Sequence, residues 1–103
     1  MQYYSVYVTT EDEDEAMVIG RILVEEKLAA CVNIHPMFSI YWWQGDVQED
    51  TEVALLVKTK AGLVDEVINR VKQLHSQEVP CIVAWPIEKG NPDYLKWVEE
   101  STR

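Results

Sequence analysis

The chain has 103 residues, 48% of them hydrophobic, and a formal net charge of −9. This length and apolar content support one folded core over residues 1–103 that needs no disulfide, metal or other cofactor to fold, and they exclude disorder. The 18 acidic residues outnumber the 9 basic ones, and this negative charge repels nucleic-acid phosphates and anionic lipid and attracts cations. Alternatively, the charge serves only to keep the protein in solution. We therefore expect neither a nucleic-acid nor a membrane partner.

The compartment follows from the N-terminus and the cysteines. The segment Met1-Gln2-Tyr3-Tyr4 has neither a basic region nor an apolar run, so no signal peptide is expected. No apolar stretch approaches the roughly 20 residues of a membrane span. Cys31 and Cys81 form no Cys-x-x-Cys motif. These features predict a cytoplasmic protein with reduced thiols.

The first two elements are a strand and a helix. Residues 3–9 alternate as a strand does, and the next four residues, Thr10-Glu11-Asp12-Glu13, match a capping box with Thr10 as the cap. The acidic run that follows lies where a helix dipole favours negative charge, which explains it better than a metal site does. The helix is predicted to continue to about Leu28, with Ala16, Ile19, Ile22 and Leu23 on its inner face.

The longest feature is a hairpin over residues 30–60. Two arms rich in β-branched and aromatic residues flank Gln44-Gly45-Asp46, and a bend is expected at His35-Pro36. Neither arm alternates cleanly between apolar and polar residues, so both faces of the hairpin require cover. A chain with two long helices covers one face, and a partner chain is the natural cover for the other.

The second half of the chain repeats the plan. Thr59 is expected to cap a helix over residues 60–75, and a last strand follows at residues 81–85. Asn91 caps a short C-terminal helix with Pro92 at its first position. The order predicts an α+β, ferredoxin-like (split βαβ) fold: a four-stranded antiparallel sheet with a long β-hairpin, two helices on one face and a short C-terminal helix.

Several residues are candidates for function, each with a structural alternative. His75 follows the second helix, so it either caps that helix or ligates a metal with Glu78 and possible help from Cys81. Cys31 is either an inert strand cysteine or a ligand. Lys58 interrupts an apolar arm and should pair with a carboxylate or enter a polar pocket. Trp42 and Trp43 either stack on a ligand or lie in a subunit interface.

Enzyme chemistry is the least favoured class. The four glycines are isolated, so there is no phosphate-binding loop. No nucleophile–base pair is visible from spacing, although a triad assembled in space stays open. The sequence therefore predicts a binding protein.

Five segments together resemble the CutA divalent-cation-tolerance proteins: residues 28–33, 39–45, 52–59, 75–80 and 90–97. They occur in the family's order and span nearly the whole chain. The resemblance implies a ferredoxin-like subunit in a tight homotrimer, whose hairpins cross between subunits and whose clefts lie at subunit boundaries. It also implies a role in tolerance of copper and other divalent ions.

The resemblance places Cys31, Lys58 and Tyr94 in the family's cleft-lining pattern. His75, Glu78 and Pro80 match its helix-end motif, whereas the family's Pro-Tyr and Glu are replaced by Ser76, Gln77 and Cys81. The leading interpretation is a trimer that binds copper or another divalent metal through His75 and Cys31 with Glu78 or Cys81. The alternative is a trimer similar to the PII signalling proteins, which binds a small anion at Lys58 without a metal role. The third interpretation is a scaffold protein that binds no small ligand.

Overall fold

The computed structural model describes residues 2–103. Met1, the first residue of the predicted domain and of the segment searched for a signal peptide, lies outside the described residues. The elements are β1 (Tyr3–Thr10), α1 (Glu13–Glu25), β2 (Cys31–Trp43), β3 (Asp46–Lys60), a 3₁₀ turn (Ala61–Leu63), α2 (Val64–Leu74), β4 (Ile82–Ile87) and α3 (Pro92–Glu100). The strands form one antiparallel sheet in the order β2-β3-β1-β4. The predicted α+β, ferredoxin-like plan is confirmed.

The hydrophobic core lies between one face of the sheet and helices α1 and α2. Alternate residues of the two central strands point into it, so that Val6, Val8, Leu55 and Val57 are fully buried. A stripe of apolar side chains on the two helices packs against them: Ile19, Leu23, Val67 and Val71. Each such side chain contributes roughly 1.5–3 kcal/mol of transfer free energy. This face accounts for the stability of the sheet.

Helix α1 begins two residues later than the capping-box pattern predicted. Asp12 is the N-cap, and its side chain accepts a hydrogen bond from the Glu15 N–H at 2.8 Å. Glu15 accepts in turn from the Glu11 N–H at 3.0 Å. Thr10 is still part of β1, and its hydroxyl donates to the Val53 carbonyl instead. The helix also ends early, at Glu25, where the chain turns through Lys27 at φ 59°.

Thr59 does not cap α2, contrary to prediction. It is a buried residue of β3, and its hydroxyl donates to the Leu28 carbonyl at 2.6 Å. The 3₁₀ turn separates it from α2, which starts at Val64. Asn91 does cap α3, accepting from the Asp93 N–H at 3.1 Å, with Pro92 at the first position. Strand β4 starts at Ile82 and runs two residues beyond the predicted end.

The hairpin spans the predicted residues, but its two strands pair more continuously than the sequence suggested. Gln44 and Gly45 alone form the turn, both at positive φ, so Asp46 already pairs with Trp43. This is the geometry of a two-residue type I′ turn. The expected bend at His35-Pro36 does not interrupt the pairing, because β2 is an edge strand and tolerates a missing N–H.

Strand β1 pairs with β3 only from Val53 onward. Residues 37–52 therefore project beyond the rest of the sheet as a two-stranded arm, here called the hairpin arm, and the molecule measures 44 × 25 × 21 Å. On one side of the arm lie four exposed apolar residues, the arm stripe: Phe38, Ile40, Trp42 and Val47, which are 88%, 71%, 74% and 55% exposed.

Within residues 2–103, the second face of the sheet carries no helix longer than the nine-residue α3. Cys31, Lys58 and Ser5 share a row across this open face, and Asn33, Leu56 and Tyr7 share the next. Helix α3 lies over one end of it, since the Tyr3 hydroxyl donates to Glu99 at 3.1 Å and Tyr94 hydrogen-bonds Cys31. The other end, beside the hairpin arm, is uncovered in the single chain.

Candidate functional site

The predicted site residues separate into two groups at opposite ends of the open face. The first, which we call the strand-end cluster, contains Cys31, Asn33, Lys58 and Tyr94. Cys31 and Lys58 stand opposite each other on β2 and β3. The Asn33 side-chain oxygen accepts hydrogen bonds from the Cys31 thiol, at 3.7 Å, and from the Lys58 ammonium group. An amide therefore takes the place of the carboxylate that Lys58 was expected to meet.

Tyr94 completes this cluster from α3. Its burial, the hydrogen bond that its hydroxyl makes to Cys31 and the charge of an ionised Cys31 together raise the pKa of Tyr94. Its ring lies 5.6 Å from that of Trp97. The cluster thus combines a thiol and an ammonium group that both donate to the Asn33 amide oxygen with a phenol that bonds to the thiol.

The second group lines a concave cleft of about 690 Å³ between β1, the hairpin arm and the loop after α2. We call it the hairpin cleft. Trp43, Glu78 and Cys81 all contribute to its wall. Trp42, the other tryptophan considered for stacking on a ligand, lines the cleft too, and Tyr7, Tyr41 and Glu52 add further aromatic and acidic groups. A hydrogen bond from the Thr9 N–H to the Cys81 carbonyl, 3.2 Å long, fixes one edge of the cleft.

The charged side chains that line the hairpin cleft, Glu52 and Glu78, are both acidic, and Asp50 lies beside Tyr41 of its wall. The Tyr41 hydroxyl donates to Asp50. That hydrogen bond, together with burial and the charges of Asp50 and Glu52, raises the pKa of Tyr41. None of the described residues that line the cleft is a lysine, arginine or histidine. A cation that enters this space is attracted to it.

His75 lies behind the wall of the hairpin cleft and not in it. Its Nδ1 accepts the Gln77 N–H at 3.1 Å, so the ring hydrogen resides on Nε2, which donates to the Thr9 carbonyl at 2.7 Å. Its backbone N–H still bonds to the Val71 carbonyl at the end of α2. Both ring nitrogens are therefore engaged with backbone groups, and ligation of a metal requires one of these bonds to open.

The loop that follows His75 is held at a second point. Glu15 accepts the Ser76 N–H at 2.8 Å. Burial opposes ionisation of this carboxyl, but the hydrogen bonds from Ser76 and Glu11 and the nearby His75 outweigh burial and lower the pKa of Glu15. Together His75 and Glu15 position Gln77, Glu78 and Val79 as one wall of the cleft.

The four predicted metal ligands are not assembled within one chain. Cys31 lies in the row of Ser5, whereas the backbone of Cys81 bonds to Thr9. Four residues of β1 separate these rows by roughly 13 Å. Both cysteines are free. Within residues 2–103, no three His, Cys, Asp or Glu side chains form a group that could hold a metal ion.

Sequence reasoning missed Asn33, Tyr41 and Glu52. Asn33 was detectable in principle, since it is two residues from Cys31 and so shares its face of β2. Tyr41 and Glu52 line one cleft only through the register of the hairpin arm, which pairs Tyr41 with Gln48 and Met37 with Glu52 and so puts both on the same face. A turn one residue longer would have shifted that register and separated them.

The sequence and the fold match one group of known proteins. The family model described as CutA1 divalent ion tolerance protein covers residues 4–101, and the chain belongs to this family. The resemblance seen in the sequence is thereby confirmed. The family is one of tolerance proteins. Within residues 2–103, no helix is long and apolar enough to cross a membrane.

Two relatives show how close the match is. The "Divalent-cation tolerance protein CutA" of Thermus thermophilus is 52% identical over 98 residues, which are 94% of this chain and 95% of that protein. The protein of the same name from Archaeoglobus fulgidus is 45% identical over 96 residues, 93% and 94% of the two chains.

The solved structures agree. The Thermus thermophilus divalent cation tolerance protein superposes with a TM-score of 0.94 at 50% identity, over 98% of this chain and 99% of that one. The structure described as the periplasmic divalent cation tolerance protein CutA from Archaeoglobus fulgidus also gives 0.94, at 43% identity over 96% and 97% of the chains.

Proposed function

We propose that this protein contributes to tolerance of divalent cations by binding the metal, with copper as the leading candidate. It acts as a cytoplasmic homotrimer of single-domain subunits. The proposal includes no catalytic step and no metal requirement for folding. The observation that carries it is that Cys81 and Glu78 line the same cleft, in which every charged lining residue is acidic. Membership of the divalent ion tolerance family supports the same function.

The donors present suit a borderline or soft metal. A thiolate favours copper or zinc, and a carboxylate can complete the coordination of either. Cys81 and Glu78 supply two ligands, while zinc usually takes four and copper sites commonly three or more. In a trimer the remaining ligands come from a neighbouring subunit, with Cys31 as one source. His75 can take part where it exchanges one of its backbone hydrogen bonds for the metal.

The arm stripe supports the trimer. Phe38, Ile40 and Trp42 alternate along β2 and present three large apolar side chains to solvent in the single chain. A contiguous apolar surface of this kind is typical of a subunit interface. A neighbouring subunit that covers the hairpin arm also brings its own side chains to the border of the hairpin cleft.

The experiment is native mass spectrometry of the full chain with and without stoichiometric Cu(II) and Zn(II). We expect a trimer that gains a defined number of ions, and we expect Cys81→Ser and Glu78→Gln to lose most of that uptake. Glu25→Gln, an exposed change on α1, is the control and should bind as the unmodified protein does. The metal uptake of His75→Ala and of Cys31→Ser shows whether either residue is also a ligand.

Equal uptake by Cys81→Ser, Glu78→Gln and the control would overturn the metal site. A monomeric mass would overturn the trimer. Cell fractionation tests the compartment, because the Archaeoglobus fulgidus relative is described as periplasmic. A periplasmic location of this chain would contradict that part of the proposal.

A second candidate is the small-anion function of a PII-like trimer. It is favoured by Lys58, which bonds to the Asn33 amide and, among the described residues, forms no ion pair with a carboxylate. Calorimetric titration with inorganic phosphate tests it. Binding that weakens with salt, survives chelator and disappears in Lys58→Ala, but not in Lys72→Ala on α2, would favour this function over the metal role.

A further inference from the structure

We draw no further inference here: the strongest candidate, the strand-end cluster in which Cys31 and Lys58 both donate to the Asn33 side chain, belongs to the sites already described, since Cys31 is a candidate metal ligand and Lys58 is the candidate anion contact.

Discussion

The two ends of the open face differ in what their polar side chains contact. At the strand-end cluster, the Asn33 side-chain oxygen accepts hydrogen bonds from both Cys31 and Lys58, and Tyr94 of α3 bonds to Cys31. At the hairpin cleft, Glu52 and Glu78 face a concave space with aromatic walls. Polar groups that bond each other form a rigid border, whereas charges that face a space are available to a ligand. The cleft is therefore the stronger candidate for binding, and the cluster for organisation of the sheet end.

The hairpin arm links the cleft to assembly, and it offers the largest expected effect. Replacing Ile40 or Trp42 by Glu places a charge in the proposed interface at a cost of about 3 kcal/mol, or roughly a hundredfold in association. We expect the trimer to dissociate, as measured by native mass spectrometry across a range of protein concentrations. Val18→Glu, on α1 and 56% exposed, should leave assembly unchanged. Retention of the trimer by both arm variants would show that the arm stripe is not the interface.

His75 tests how the cleft wall is positioned. His75→Ala leaves the Thr9 carbonyl and the Gln77 N–H without their partner, which should lower the free energy of unfolding by about 2 kcal/mol. Urea unfolding at fixed protein concentration measures it. His35→Ala, the exposed second histidine, should change stability by less than about 0.5 kcal/mol. Similar values for the two variants would remove the structural role assigned to His75.

Glu15 provides a smaller and pH-dependent effect. Its pKa in the folded protein lies below the ordinary value of 4.5, so its stabilisation is present above that value and disappears as the pH falls through the folded-state pKa. Glu15→Gln should cost about 1 kcal/mol at pH 7, a modest figure because the carboxylate is partly exposed. The difference from the unmodified protein should shrink below pH 4.5.

Glu13→Gln is the control for this pH dependence. Glu13 lies in the same first turn of α1 and is exposed, so it feels the helix dipole without the hydrogen bond to Ser76. A Glu15→Gln effect that stays constant from pH 7 to pH 3 would contradict the assignment.

Most of the fold was predictable, and the errors lie at element boundaries. Periodicity identified β1 and the two long helices, because burial of one face imposes its period on the sequence. Residue composition identified the hairpin strands, and capping residues identified α3. The cap of α1 was assigned to Thr10, which instead satisfies the Val53 carbonyl of a strand 43 residues away. Thr59 was misassigned for the same reason, since its partner is the Leu28 carbonyl. Local patterns do not show long-range hydrogen bonds that compete for a hydroxyl.

The candidate sites were only partly predictable. Trp43, Glu78 and Cys81 do share a cleft, but His75 lies behind its wall and Cys31 lies at the opposite end of the sheet. Whether these residues bind a metal stays a prediction. The sequence suggested one metal site because the four residues are of types that bind metals. Residue type alone does not show how far apart side chains lie in the folded chain.

The amino-acid sequence by itself determined the order of elements, the family, the acidic charge and the excess of apolar surface on the hairpin. These depend on periodicity and composition, which can be read along the chain. The tertiary structure decided which side chains meet. The register of the arm brought Asp50 within hydrogen-bond distance of Tyr41, and both ring nitrogens of His75 bond to backbone groups. Strand register and loop anchoring arise from contacts between distant segments, so only the folded chain reveals them.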